Sequence, residues 1–493
     1  MIEESLKIHG KHQFEVKQKV LFDRNERVIR YQIDTYFFLP VALQINRDNY
    51  SRKSFWRSLK NYMRLRPPNC QLAHLADGDA LHALRDQLAM LAEQPIIPVT
   101  HYENLLKRHV LTCARALRLN CKRIRHQQHN DGDAVAATMA SLAAALAAYR
   151  NLRSYSARIE AKIVSQAFAY CDEYLSLITS YTLRKLLPHL GEEARLPVVA
   201  ALENEAQYRA LHLPEYADDG DADDDNERSL YRWSLLRKYV SSYLYFDIRR
   251  KKGNNILLHS LYGIAAAISM IFATAIAFSW QDRYGSLSMN LFIALVIGYI
   301  FKDRIKEIGR EQLYRLFRKW IPDHRLMIYR GEDTIVGICK ESFHFMEESH
   351  LAPAIRELRT HAHWIKLVND PRAENVLHYK KAVELRNQPE LFAATQHAII
   401  DITRFSIADF LKQVDNLLEE LPLADDDNGS MGERVYHICM IRQVTLDGRS
   451  ADELVRIVIN AEGIKRLEIL QPLQFRSSDP QVDANPNTNI PEA

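Results

Sequence analysis

Few residues in this chain have both the types and the spacing for chemistry. Cys121, His126, His129, Asp131 and Asp133 fall within one short stretch. Two imidazoles three positions apart beside a carboxylate could share a divalent cation, which makes His126, His129 and Asp131 the candidate metal ligands. The same stretch reads more readily as a helix end before a Gly-containing loop, where His and Asp serve as ordinary surface and capping groups. Glu357, His361 and His363 form a second cluster, but Arg356 and Arg359 stand among them, as on a solvated helix face. Asp221, Asp223 and Asp225 begin like a calcium loop. Asn226 then stands where the loop needs Gly, and no acid closes the twelve. Phosphate-cradling, dinucleotide-binding, nucleophile-elbow and zinc-protease motifs are absent from the sequence. No cofactor and no reaction class is therefore expected from motifs.

Bulk properties narrow the remaining classes. Lys and Arg number 65 against 62 Asp and Glu, a net charge of +3 that gives no global reason to expect a nucleic-acid partner. Six cysteines are scattered without a Cys-x-x-Cys pair, the pattern of reduced core thiols rather than a disulfide framework. The opening Met-Ile-Glu-Glu-Ser-Leu-Lys lacks the basic-then-apolar order of a signal peptide, so the N-terminal flank is expected to stay in the cytosol.

The strongest signal lies near the middle. Residues 256–280 contain no Asp, Glu, Lys or Arg, and about 25 helical residues cross a hydrocarbon core of about 30 Å. A second apolar run extends over residues 284–301 if its polar start lies at the far interface; a re-entrant segment is the alternative. Arg249, Arg250, Lys251 and Lys252 precede the first run, and Lys302, Arg304 and Lys306 follow the second. Only Arg283 lies between the runs. Positive charge collects on the cytoplasmic side, so the expectation is a two-span helical hairpin in a bacterial-type inner membrane with both termini cytoplasmic. Gly263, Ala267, Ala273 and Ala277 on the first span, and Ala294 and Gly298 on the second, are small residues at which helices can pack closely.

The flanks must position whatever this anchor carries. Residues 1–216 are read as an N-terminal cytoplasmic domain. It opens with a β-hairpin whose two strands, around Val16 and around Ile33, are joined by an Asp-Arg-Asn-Glu turn. Residues 51–66 follow as a basic amphipathic helix suited to a membrane surface or a soluble core. A helical bundle completes the domain. Residues 217–228 read as an acidic linker, 229–255 as a juxtamembrane helix and 302–321 as its partner, the two forming an antiparallel coiled-coil stalk. From residue 322 to 475 the period shifts to two, predicting a C-terminal antiparallel β-rich domain, with one helix over residues 406–421. Residues 476–493, rich in Asp, Asn and Pro, are expected to be disordered.

These expectations describe an α+β membrane protein with a two-span hairpin. Its partners are expected to be membrane lipid, further copies of itself and a cytoplasmic protein. It would act as a binding, scaffold or sensor protein. The alternatives are a subunit of an oligomeric pore or transport complex, and a membrane-tethered enzyme whose site is not visible in sequence.

Overall fold

A computed structural model describes residues 2–21, 27–93, 99–126, 132–157, 159, 162–213, 222–250, 256–285, 289–317, 321–331, 334–360, 374–386, 398–414, 418–420, 431–446 and 448–475. The expected tail at 476–493 lies outside these residues. The fold is mixed α+β, with a large antiparallel sheet beside a helical bundle.

β1 (Ile2–Ile8) turns back on β2 (Gln13–Leu21), whose other edge pairs with β9 (Ala398–Ser406). The free side of β9 takes β4 (Leu59–Leu65), giving a four-stranded sheet. β3 (Val28–Pro40) belongs to a different sheet, between β8 (Glu374–Arg386) and β12 (Tyr436–Leu446). Its other members are β5 (Asp247–Arg250), β6 (His324–Arg330), β7 (Thr334–Met346), β13 (Arg449–Asn460) and β14 (Gly463–Phe475). The eight strands run in the order β14-β13-β12-β3-β8-β7-β6-β5. β10 (Leu418–Glu420) and β11 (Met431–Glu433) make a separate ribbon.

The expected β-hairpin is thus corrected: β2 and β3 part into different sheets. From Ile33 through Leu39 every residue of β3 is buried, so both faces of the strand are covered, as a central strand requires. The boundary at residue 322 is corrected for the same reason. Strands from both ends of the chain interleave, so residues 322–475 do not form a sheet of their own.

The sheets face each other across an aromatic core. Phe37 stacks on Phe405 at 5.2 Å between centroids, and Phe55 on Phe343 at 4.1 Å. Phe55 comes from α1 (Arg52–Ser58), whose N-cap Ser51 accepts from the Ser54 amide at 3.2 Å. The helix expected over residues 51–66 ends there, because Leu59 turns extended and the chain becomes β4. Met63 and Leu65 alternate into the core, and pairing with the open edge of β9 overrides local helix preference.

The bundle comprises α2 (Asp79–Glu93), α3 (Val99–His126), α4 (Gly132–Arg150), α5 (Arg153–Ser156), α6 (Lys162–Leu186), α7 (Glu192–His212) and α8 (Ala222–Ser241). α8 begins inside the expected linker 217–228, and the expected helix 229–255 stops at Ser241, short of the membrane run. Its apolar stripe explains both corrections. Leu236 and Val240 are buried in the bundle core, and Tyr239 meets the Tyr170 ring edge-on. A stripe covered in this way is not free to build a stalk with the exit helix. Arg232 reaches from α8 to Glu173 on α6 with two nitrogens, at 2.6 and 2.7 Å. Arg150 likewise grips Glu205 on α7 at 2.9 and 2.8 Å. Such bidentate pairs hold the helices in one mutual orientation.

Past the bundle, α9 (Ile256–Tyr284) and α10 (Met289–Phe317) run antiparallel. Gly285, at φ 74°, ends α9 in the left-handed region that favours glycine. Tyr284 therefore belongs to the first helix, not to the expected second span, and residues 302–317 continue α10 without a break. α11 (Pro353–Thr360) covers one end of the eight-stranded sheet, with Ile355 packed near Tyr36 and Phe38. The helix expected over 406–421 is replaced, among the described residues, by a turn, a short 3-10 segment and β10.

Candidate membrane anchor and polar sites

Among the described residues two stretches are long and apolar enough to cross a membrane, Gly132–Ser156 and His259–Arg283. The first places Val135, Met139, Leu142, Leu146 and Tyr149 in the bundle core, which accounts for its composition without lipid. The second, within α9, leaves Ile264, Ile268, Met270, Ile271 and Phe278 exposed.

α9 and α10 touch through small residues. The position of a Gly298 Cβ lies 3.5 Å from the Ile276 side chain, and that of a Gly309 Cβ lies 3.4 Å from Ala265. Ala265, Ser269 and Ala294 are buried on this hairpin. Ala273 and Ala277 are half-buried. Gly263 and Ala267 are exposed instead, with nothing within 4 Å of a Cβ at Gly263. Ala267 joins Met270, Ile271, Thr274 and Ala275 around an apolar groove on the outward face of α9.

The same contacts fix the register. Lys302, Arg304, Lys306 and Arg310 on α10 lie beside the apolar first half of α9, and Arg310 sits over the Tyr262 ring at 5.3 Å. The apolar part of α10, Met289 to Phe301, is about 13 residues or about 20 Å long.

The hairpin is mounted on a strand pair. β5 runs towards α9 and β6 away from α10, with Arg249 opposite Met327 and Arg250 opposite Leu326. Arg249 and Arg250 are exposed, and the Arg249 guanidinium lies over Tyr329 at 4.5 Å. Lys251 and Lys252 lie outside the described residues.

Of the predicted metal ligands only His126 falls among the described residues. His126 closes α3, whereas His129 and Asp131 lie outside the described residues, as do His361 and His363. Among the described residues no group of three or more His, Cys, Asp or Glu is placed to hold a metal ion. A cleft of about 470 Å³ opens between α3 and α4, with Cys70, Gln71, Asn120, Arg123, Thr138 and Ser141 in its wall.

A polar chain not anticipated from sequence crosses three neighbouring strands. On β8, His378 Nε2 lies 2.8 Å from Asp34 Oδ1 of β3, and its Nδ1 lies 3.3 Å from His344 Nε2 of β7. The Tyr36 ring stacks on His378 at 4.4 Å and 7°. Burial raises the Asp34 carboxyl's pKa, but hydrogen bonds from His378 and Gln32 outweigh it and leave the pKa below its ordinary value. Asp34 stands in the sequence between Ile33 and Thr35 of a strand-like run, with nothing local to mark its partners. The histidines lie 34 positions apart, and only strand pairing makes them neighbours.

No protein-family model matches this chain, and no curated protein or solved structure matches it either.

Proposed function

We propose that this chain is an oligomeric, membrane-anchored binding or scaffold protein, held by the α9–α10 hairpin at the cytoplasmic face of an inner-type membrane. The observation that carries this reading is the exposed apolar surface of α9, which water would penalise and hydrocarbon would not. The interleaved sheets add support: strands before and after the hairpin are hydrogen-bonded neighbours, so both flanks share one compartment. Arg249 and Arg250 precede the hairpin at the end nearest that body, Lys302, Arg304 and Lys306 follow the apolar run of α10 on the way back to it, and of the basic residues only Arg283 marks the far end, which favours the cytoplasm.

Membrane fractionation tests the proposal. The full chain should stay in the pellet through alkaline carbonate extraction. A variant lacking residues 256–317, with a short polar linker between the adjacent β5 and β6, should become soluble. Extraction of the full chain by carbonate would sink the reading.

The register supports a second reading, a subunit of an oligomeric pore or transport complex. Lys302 to Glu311 carry both signs of charge at the depth of the apolar half of α9. In a full span these charges need partners or water rather than lipid. Several copies turning α10 inward would supply both, and ion flux through vesicles containing the purified chain would separate this reading from the first.

A further inference from the structure

We propose that His344 and His378 form a binding site for a late first-row divalent cation such as Zn²⁺, with Asp34 as the carboxylate that orients His378. Two imidazole nitrogens bound to one tetrahedral zinc at about 2.0–2.1 Å lie about 3.3 Å apart. His378 Nδ1 and His344 Nε2 are separated by 3.3 Å. A straight imidazole–imidazole hydrogen bond of that length would place the ring centres about 5.6 Å apart. The rings are instead 4.9 Å apart with planes at 85°, so the contact is bent, as between two corners of one coordination shell.

The surroundings match the carboxylate–histidine–metal arrangement. Asp34 accepts from His378 Nε2, which fixes the proton on that nitrogen and leaves the Nδ1 lone pair towards His344. Tyr36, stacked on the ring, restricts its rotation. His344 is half-buried, so the position between the rings can be reached from solvent. Only two protein ligands converge among the described residues, which leaves the other positions to water or an exchangeable ligand, the open form of a site rather than a closed structural one. Imidazole donors favour Zn²⁺, Cu²⁺ and Ni²⁺ over Mg²⁺ or Ca²⁺. The site lies in the strand body, and its test does not depend on whether α9 enters a membrane.

The experiment uses the full chain in detergent, stripped with chelator and dialysed against Zn²⁺, with bound metal measured by elemental analysis and folding by circular dichroism. The wild type should retain one equivalent. His344→Gln and His378→Gln should each weaken retention by more than about tenfold, and Asp34→Asn by about 10–100-fold. His126→Ala and His129→Ala should leave it unchanged. If His378→Gln does not fold, the half-buried His344→Gln decides alone. A wild type that retains no zinc overturns the proposal. So does a folded His344→Gln that binds like wild type, or a loss that follows His126 and His129 instead.

Discussion

Lys381 of β8 and Asp401 of β9 meet between the two sheets at 2.6 Å, each side chain 1 % exposed. The Tyr31 hydroxyl donates to the second oxygen of the same carboxylate at 2.9 Å. Burial alone would lower the lysine's pKa, but the charges of Asp401 and Glu341 hold it above its ordinary value. The sheets are thus joined by a buried ion pair, beside a second buried polar contact between Glu341 and the Tyr379 hydroxyl.

Removing one member strands the other in the interior. Lys381→Met or Asp401→Leu alone should cost about 3–5 kcal/mol of stability, measured by denaturant unfolding of the detergent-solubilised chain. The double substitution should recover most of that loss, less a contribution from the Tyr31 hydroxyl. Additive losses in the double variant would show that the two residues do not act as a pair.

His109 gives the bundle an acid-sensitive point. It is fully buried on α3, stacked at 5.6 Å on Tyr149, and burial lowers its pKa from 6.5 to about 4. Between those values the unfolded chain binds a proton that the folded chain excludes. Stability contributed by the neutral ring is therefore full above pH 6.5 and falls as pH drops towards 4, by about 3 kcal/mol in all. His109→Phe, which keeps an aromatic ring against Tyr149, should flatten this part of the pH–stability curve. An unchanged slope from pH 6.5 to 4 would remove His109 as its source.

The two hairpin glycines should behave differently. Gly298 faces Ile276, so Gly298→Leu should force the helices apart and lower thermal stability by about 1–3 kcal/mol. Gly263 faces open space, so Gly263→Leu should leave the hairpin intact. If copies pack through that side of α9, it should weaken their association by about 1 kcal/mol, read by detergent sizing with membrane yield as control. Equal behaviour of the two variants would mean that the register of α9 on α10 differs from the one described.

Period made much of the strand architecture legible. The period-two pattern expected from residue 322 onward coincides with β6, β8, β9 and β14, because alternating burial is a local signal. β4 and β5 were missed because each needs a partner distant in sequence. Met63 and Leu65 fit a helical face until β9 claims them, and the β5 residues look like the end of α8 until β6 does. The stripe on α8 was visible, but its covering surface was not, since α3 and α6 are identified only by packing. The Asp34–His378–His344 chain was hidden for a related reason: its members belong to three strands whose order no spacing encodes.

The position of β3 also constrains how the protein can be made. Phe38 pairs with Val376 on β8 and with Cys439 on β12, and that cysteine is synthesised about 400 residues later. Until β8 emerges this apolar strand near the start of the chain has both edges open, and until β12 does it keeps one open, while the bundle and the hairpin come first. Such edges invite wrong partners in a crowded cell. The early bundle can fold from local contacts, but the central sheet must wait for nearly the whole chain. Truncation anywhere before β12 should therefore expose β3 to aggregation rather than yield a smaller working unit.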